Sequence, residues 1–151
     1  MRIRKPNKSA LSQSGTLWNY SGYESIVNGA KQRKYNRYHI HSAVFDGVSA
    51  MLGTRQLGNL YLEMYNGVTE VRNENGEPCR YVSSHEYLNA SESEQRNLWT
   101  LNPDDDYFNA GIFDDMPSFE GEKRREDFKI TYSDAKFDLN GKIHHWEVYG
   151  T

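Results

Sequence analysis

At 151 residues the chain has the length of one compact domain and leaves little room for a second hydrophobic core. Apolar residues make up 36% and mean hydropathy is −0.89, yet 13% of residues are aromatic, so the core is expected to be rich in Tyr and Trp. Net charge is −3, no stretch approaches membrane-spanning length, and the charged opening Met1 to Lys8 is no secretory leader, which excludes membrane embedding and predicts a cytoplasmic setting, that of the host if the source is viral.

Residues 1–15 are polar, basic and without period, and read as a flexible arm preceding a single domain over 16–151. Leu17-Trp18-Asn19-Tyr20 reads as a short strand. Ser21 and Glu24 then have the spacing of a capping box, and Tyr23, Ile26, Val27 and Ala30 recur at helical period, which predicts a helix ending in Lys31, Arg33, Lys34 and Arg37. From Tyr38 to Phe45 the pattern alternates as in a strand, with a helix over Ser42 to Gly53 as the competing reading. Gly58 to Met64 is β-rich. Val68 to Arg72 and Cys79 to Val82 flank the turn dipeptide Asn75-Gly76, so a hairpin is expected near 68–82.

Ser83 with Glu86 and Ser91 with Glu94 repeat the capping-box spacing, and Tyr87, Leu88, Gln95, Leu98 and Trp99 supply short helical faces ended by Pro103. Residues 102–127 hold nine acids and little apolar period, and read as a long surface loop. Phe128 to Tyr132 alternates, and Asn140-Gly141 predicts a final hairpin near 136–149. Together these elements predict an α+β fold: an antiparallel sheet with two to four short helices and a basic arm.

Charge divides the chain. Through His41 there are eight basic residues (Arg2, Arg4, Lys5, Lys8, Lys31, Arg33, Lys34, Arg37) against Glu24 alone, and from Ser42 onward ten basic against twenty acidic. The basic quarter points to an anionic partner, a nucleic acid or an acidic protein surface, or else to the acidic remainder of the same chain. Arg33, Lys34, Tyr35, Arg37 and Tyr38 interleave cations with aromatic rings, the mixture that neutralises phosphates and stacks bases, and form the candidate partner-binding set.

His39-Ile40-His41 places two imidazoles on one side of a strand, where they can share a divalent ion. This triplet resembles the His-hydrophobic-His motif of the HUH single-strand endonucleases. The resemblance implies His39 and His41 as ligands of a metal such as Mn or Mg, with a third oxygen ligand from a residue such as Asp46 or Glu63. It also implies a tyrosine that attacks the phosphodiester, for which Tyr132, followed by Lys136 at a spacing unlike the family's, is the candidate. Pro103-Asp104 with Asp127-Phe128-Lys129 outlines a second carboxylate arrangement found in metal-dependent nucleases. Asp104 and Asp106 match the start of a calcium loop that lacks its closing glutamate.

His144-His145 are adjacent on an expected strand and should face opposite sides. Cys79, the sole cysteine, excludes an internal disulfide and a four-cysteine zinc site, and reads as packing. Two functional classes follow. The first is a small non-catalytic accessory or inhibitor protein, of the type found in phages and mobile elements, that binds a protein or nucleic-acid partner without a cofactor. The second is the metal-dependent single-strand nuclease.

Overall fold

The computed structural model describes residues 5–6, 11–52, 55–114 and 128–151, with the side chains of 48–52 and 55–59 outside the description. In chain order the elements are β1 (Gln13–Val27), β2 (Ala30–Leu52), β3 (Arg55–Tyr65), β4 (Glu70–Arg72), β5 (Arg80–Tyr81), α1 (Ser84–Asn89), α2 (Glu92–Gln95), β6 (Leu98–Trp99), β7 (Tyr107–Ala110), β8 (Phe128–Phe137) and β9 (Ile143–Gly150). The fold is mainly antiparallel β, which overturns the α+β expectation: only two helices occur among the described residues, and both are short. None is long and apolar enough to cross a membrane.

The strands pair in the order β1-β7-β8-β9-β3-β2, and β2 pairs back onto β1, so six antiparallel strands close into a barrel. Closure gives each of these strands a partner on both sides over part of its length. β4 carries on the line of β3 along the same edge of β2, pairing Glu70 with His41 and Arg72 with His39. The interior is filled by Leu17, Ile40, Phe45, Leu62, Met64, Phe108, Ile130 and Val148, with Trp146 and Trp99 toward one end.

The helix expected from Ser21 is instead the arm of the β1–β2 hairpin. Asn28 (φ 51°) and Gly29 (φ 78°) both take positive φ between paired Val27 and Ala30, the backbone of a two-residue hairpin turn for which Asn-Gly is the preferred dipeptide. Ser21 caps nothing: its hydroxyl donates to the Lys34 carbonyl and accepts the Tyr23 amide. The apolar stripe that suggested a helix has no core to cover, since Ile26 is 75% exposed and Tyr23 and Val27 also face solvent.

β2 runs as strand through Ser42 to Leu52, so the competing helix is not formed. Ser42 (φ 62°) is a bulge residue. It resets the inward positions from Tyr38 and Ile40 to Ala43 and Phe45, and there the strand leaves β1 and takes β3 as its partner. Gly15 sits opposite this bend, where a Cβ would stand 2.1 Å from the Phe45 ring.

The hairpin expected near 68–82 forms only in part. Asn75-Gly76 turns the chain and Arg72 bridges Pro78, but Arg80–Tyr81 leaves to pair in parallel with Leu98–Trp99. Leu98 and Trp99 are therefore strand, not helix. α1 and α2 begin as expected, with Ser83 accepting the Glu86 amide and Ser91 and Glu94 completing a capping box. The final hairpin forms between β8 and β9, its turn held by the Asp138 carboxylate on the amides of Asn140 and Lys142.

The surface loop expected over 102–127 contains strand β7. Its remainder, 115–127, lies outside the described residues, as do Asp127 and most of the basic arm. Strand β1 already begins at Gln13, and Leu11 is buried, so the folded body starts before residue 16.

Candidate nucleic-acid interface

Period-two alternation along β2 turns Tyr35, Arg37, His39 and His41 to the outer wall of the barrel and Asn36, Tyr38 and Ile40 to its core. Register brings the neighbours. β1 sets Tyr20 opposite Tyr35, Trp18 opposite Arg37 and Thr16 opposite His39, while β7 sets Tyr107 opposite Trp18 and Asn109 opposite Thr16. Tyr20, Tyr35 and Tyr107 pack as a run of rings, with centroids 5.7 Å apart for the first pair and 6.0 Å for the second. The Arg33 guanidinium lies 4.3 Å from the Tyr20 centroid.

A buried polar network fixes the platform from behind. Asp106, fully buried, accepts the Tyr20 and Asn102 amides at 2.8 and 2.9 Å and Asn19 Nδ2 at 2.8 Å. Burial pushes its carboxyl up to about 8, against the opposing pull of those three donors. Trp18, 1% exposed, donates its indole N–H to Asn109 Oδ1 at 2.7 Å.

The cations are not idle. Arg33 pairs with Asp105 at 2.9 Å, Lys34 with Glu92 at 3.2 Å and Arg37 with Asp114 at 3.4 Å, so the basic cluster meets acids from the later chain. Hydrogen bonds to Asp105 and Tyr35 hold the Arg33 guanidinium still more firmly charged. The segment before Asp114 is latched across β1 through Thr16, whose hydroxyl donates to the Gly111 carbonyl and accepts the Phe113 amide, both at 2.9 Å.

Of the five residues singled out in sequence, Arg33, Tyr35 and Arg37 share the outer face. Lys34 points to the other side, toward α2, and Tyr38 is a core residue at 1% exposure, bonded to the Tyr87 hydroxyl and the Gln95 carbonyl. Tyr20 and Tyr107 complete the platform and were not picked out. The Asn28-Gly29 turn was the local signal that would have brought Tyr20 near Tyr35.

His39 and His41 do share a face, with ring centroids 6.4 Å apart. Burial and the neighbouring Arg37 hold His39 below the usual histidine range, and its nearest ionic contact is Asp114 at 3.8 Å. His41 Nδ1 is 3.4 Å from the Ser14 hydroxyl. Beyond the bend at Ser42, Asp46 is paired across strands with Tyr61, and Glu63 accepts the Tyr61 hydroxyl. Among the described residues no three His, Cys, Asp or Glu are placed to hold a metal ion. Tyr132 is on β8, three strands from β2 in either direction round the barrel, and packs on Tyr149. It stands on the wall opposite the histidines.

Cys79 is half-buried, and burial raises its thiol to about 11, so it is protonated at neutral pH and a poor nucleophile. His144 and His145 do not simply point apart. Their Nδ1 atoms approach to 2.8 Å, and His145 Nε2 lies 2.8 Å from Glu147. Comparison with family models, curated proteins and solved structures finds no match to this chain.

Proposed function

We propose that this protein is a non-catalytic binding module whose outer β1–β2–β7 face takes a single-stranded nucleic acid. The observation that carries this reading is the Tyr20–Tyr35–Tyr107 platform with Arg33 over one ring and Arg37 beyond it. Base faces stack on such rings regardless of sequence, and guanidinium groups neutralise the phosphates between them. The ion pair of Arg33 with Asp105 does not oppose this, because an exposed pair of this kind is worth about 0–1 kcal/mol and exchanges readily for a phosphate. The nuclease alternative is less well supported: Asp114 lies 3.8 Å from His39, but among the described residues no three His, Cys, Asp or Glu are grouped to hold a metal ion, and Tyr132 is on the far wall.

The test is a titration of labelled single- and double-stranded DNA and RNA at low and moderate salt, with and without manganese. Expected are preference for single strands, affinity falling as salt rises, and a loss of about 1–3 kcal/mol for each of Tyr35→Ala and Tyr107→Ala. No salt-sensitive binding, or full binding in the double tyrosine variant, would overturn the reading. Manganese-dependent cleavage abolished by His39→Ala would restore the nuclease.

A further inference from the structure

A concavity apart from the tyrosine platform lies where β4, the β5–β6 pair and the start of β9 meet. Two clefts of about 520 and 580 Å³ share Gly67, Thr69, Val71 and Cys79 and so form one groove. At one end the parallel pairing of β5 with β6 sets Tyr81 beside Trp99, and Trp146 of β9 closes a three-ring cluster with centroid separations of 4.8 to 5.2 Å. Both indoles are buried and Tyr81 is half-buried, so the cluster offers the groove one accessible ring above an aromatic floor. The buried Nε1–H of Trp146 has no hydrogen-bond partner among the described residues, a condition that costs free energy until an acceptor arrives.

The charge of this groove differs from that of the β1–β2 face. Arg80 and Lys142 are exposed at its aromatic end and Lys5 lines the adjoining cleft, and none of the three has an ion pair among the described residues. Arg72, in the same groove, is satisfied by Glu70. A neutral ring would leave these cations unused, and a bare inorganic anion would leave the rings unused. The aromatic cleft also has the volume of a small-ligand site.

We propose that this groove binds an aromatic ring bearing a phosphate, the chemistry of a nucleoside monophosphate, with the ring against Tyr81 and the phosphate between Arg80 and Lys142. Arginine's planar fork suits a phosphate, and the lysine adds a point charge. The site is separate from the tyrosine platform and stands or falls without it.

Titration of AMP, followed by tryptophan fluorescence and calorimetry, tests this. Saturable binding with fluorescence quenching is expected, at least tenfold weaker for adenosine, for inorganic phosphate and for the Arg80→Ala/Lys142→Ala variant, whose exposed positions leave the melting temperature unchanged. Tyr81→Ala weakens AMP binding as well, whereas Tyr35→Ala and Tyr107→Ala leave it intact. A 5′-phosphorylated oligothymidine that displaces AMP when its unphosphorylated form does not identifies a strand end as the source of the phosphate. Failure of both to displace it identifies the free nucleotide. Absence of saturable AMP binding, adenosine binding as tight as AMP, or unaltered binding in the Arg80/Lys142 variant overturns the proposal.

Discussion

Asp106 is the residue on which the platform and the barrel both depend. Its carboxylate gathers the Tyr20 amide, the Asn102 amide and the Asn19 side chain, and Asn19 in turn donates to the Thr100 carbonyl and accepts the Thr100 amide. Asp106→Ala leaves three N–H donors buried without an acceptor, at about 1–3 kcal/mol each, so a loss of at least about 3 kcal/mol is expected in urea denaturation. The pH dependence has a definite sign. With a native value of about 8, above that of the unfolded chain, the folded state holds the Asp106 proton through the interval between them. The stability it contributes is complete at acid pH and is lost as pH rises from roughly 4 to 8, with a slope of at most about 1.4 kcal/mol per pH unit. Asp106→Asn removes that slope. His39 acts in the opposite direction, since a lowered native value costs stability as pH falls below the ordinary histidine range. Unfolding free energies of wild type and Asp106→Asn between pH 5 and 8 decide the matter, and parallel profiles would show that Asp106 is ionised throughout.

Two glycines separate turn chemistry from packing at the level of elements. Gly29 has open space around its missing Cβ and is constrained only by φ 78°, so Gly29→Ala should cost about 1–2 kcal/mol of local strain. Gly15 has no positive φ, but a Cβ there would stand 2.1 Å from the Phe45 ring and 2.6 Å from the Asn109 carbonyl, and Gly15→Ala must displace the bend of β2, which should cost more, about 3 kcal/mol. Thermal melts compare the two, and a smaller shift for Gly15→Ala would contradict the close approach. Legibility in the sequence follows the same division. Asn140-Gly141, Ser83 and Ser91 act through groups a few residues apart, and their turn and caps form where the local pattern puts them. Asn28-Gly29 is an equally local signal, but the Ser21–Glu24 spacing and the Tyr23–Ile26–Val27–Ala30 period compete with it. Only the absence of anything to bury that stripe decides for the hairpin. The candidate face divides similarly. Alternation alone separates Tyr35 and Arg37 from Tyr38, whereas Tyr107 joins them through a pairing of β1 with β7 that nothing local encodes.

Closure of the barrel sets acidic side chains of three strands side by side and fixes the order in which the strands can part. Glu63, Glu147 and Asp134 stand in direct cross-strand register on β3, β9 and β8, on the wall away from the β1–β2–β7 face. Adjacent like charges are destabilising, and their neighbours relieve them: His145 approaches Glu147 at 2.8 Å and Lys136 pairs with Asp134 at 2.7 Å. Among the described residues β1 is registered with the Ala30–Ala43 stretch of β2, and β7 meets β8 through Tyr107 with Lys129 and Phe108 with Phe128, supplemented by the Ile130 amide on the Asp106 carbonyl at 2.9 Å and the Asp104 amide on the Ile130 carbonyl at 2.8 Å. Local opening follows the least costly set of contacts, so among the described pairings the β7–β8 line is the one expected to part first. Amide exchange measured by NMR is expected to show Asp104 and Ile130 exchanging well before Leu62 and Val148, which lie in the longer β3–β9 pairing, although all three side chains at 130, 62 and 148 are fully buried. Phe108→Ala, which removes the ring packed between Phe45 and Phe128, should widen that gap and cost about 3–5 kcal/mol overall. Equal protection of β7, β8, β3 and β9 amides would mean that the barrel opens as one cooperative unit, with the short β7–β8 seam no weaker than the rest.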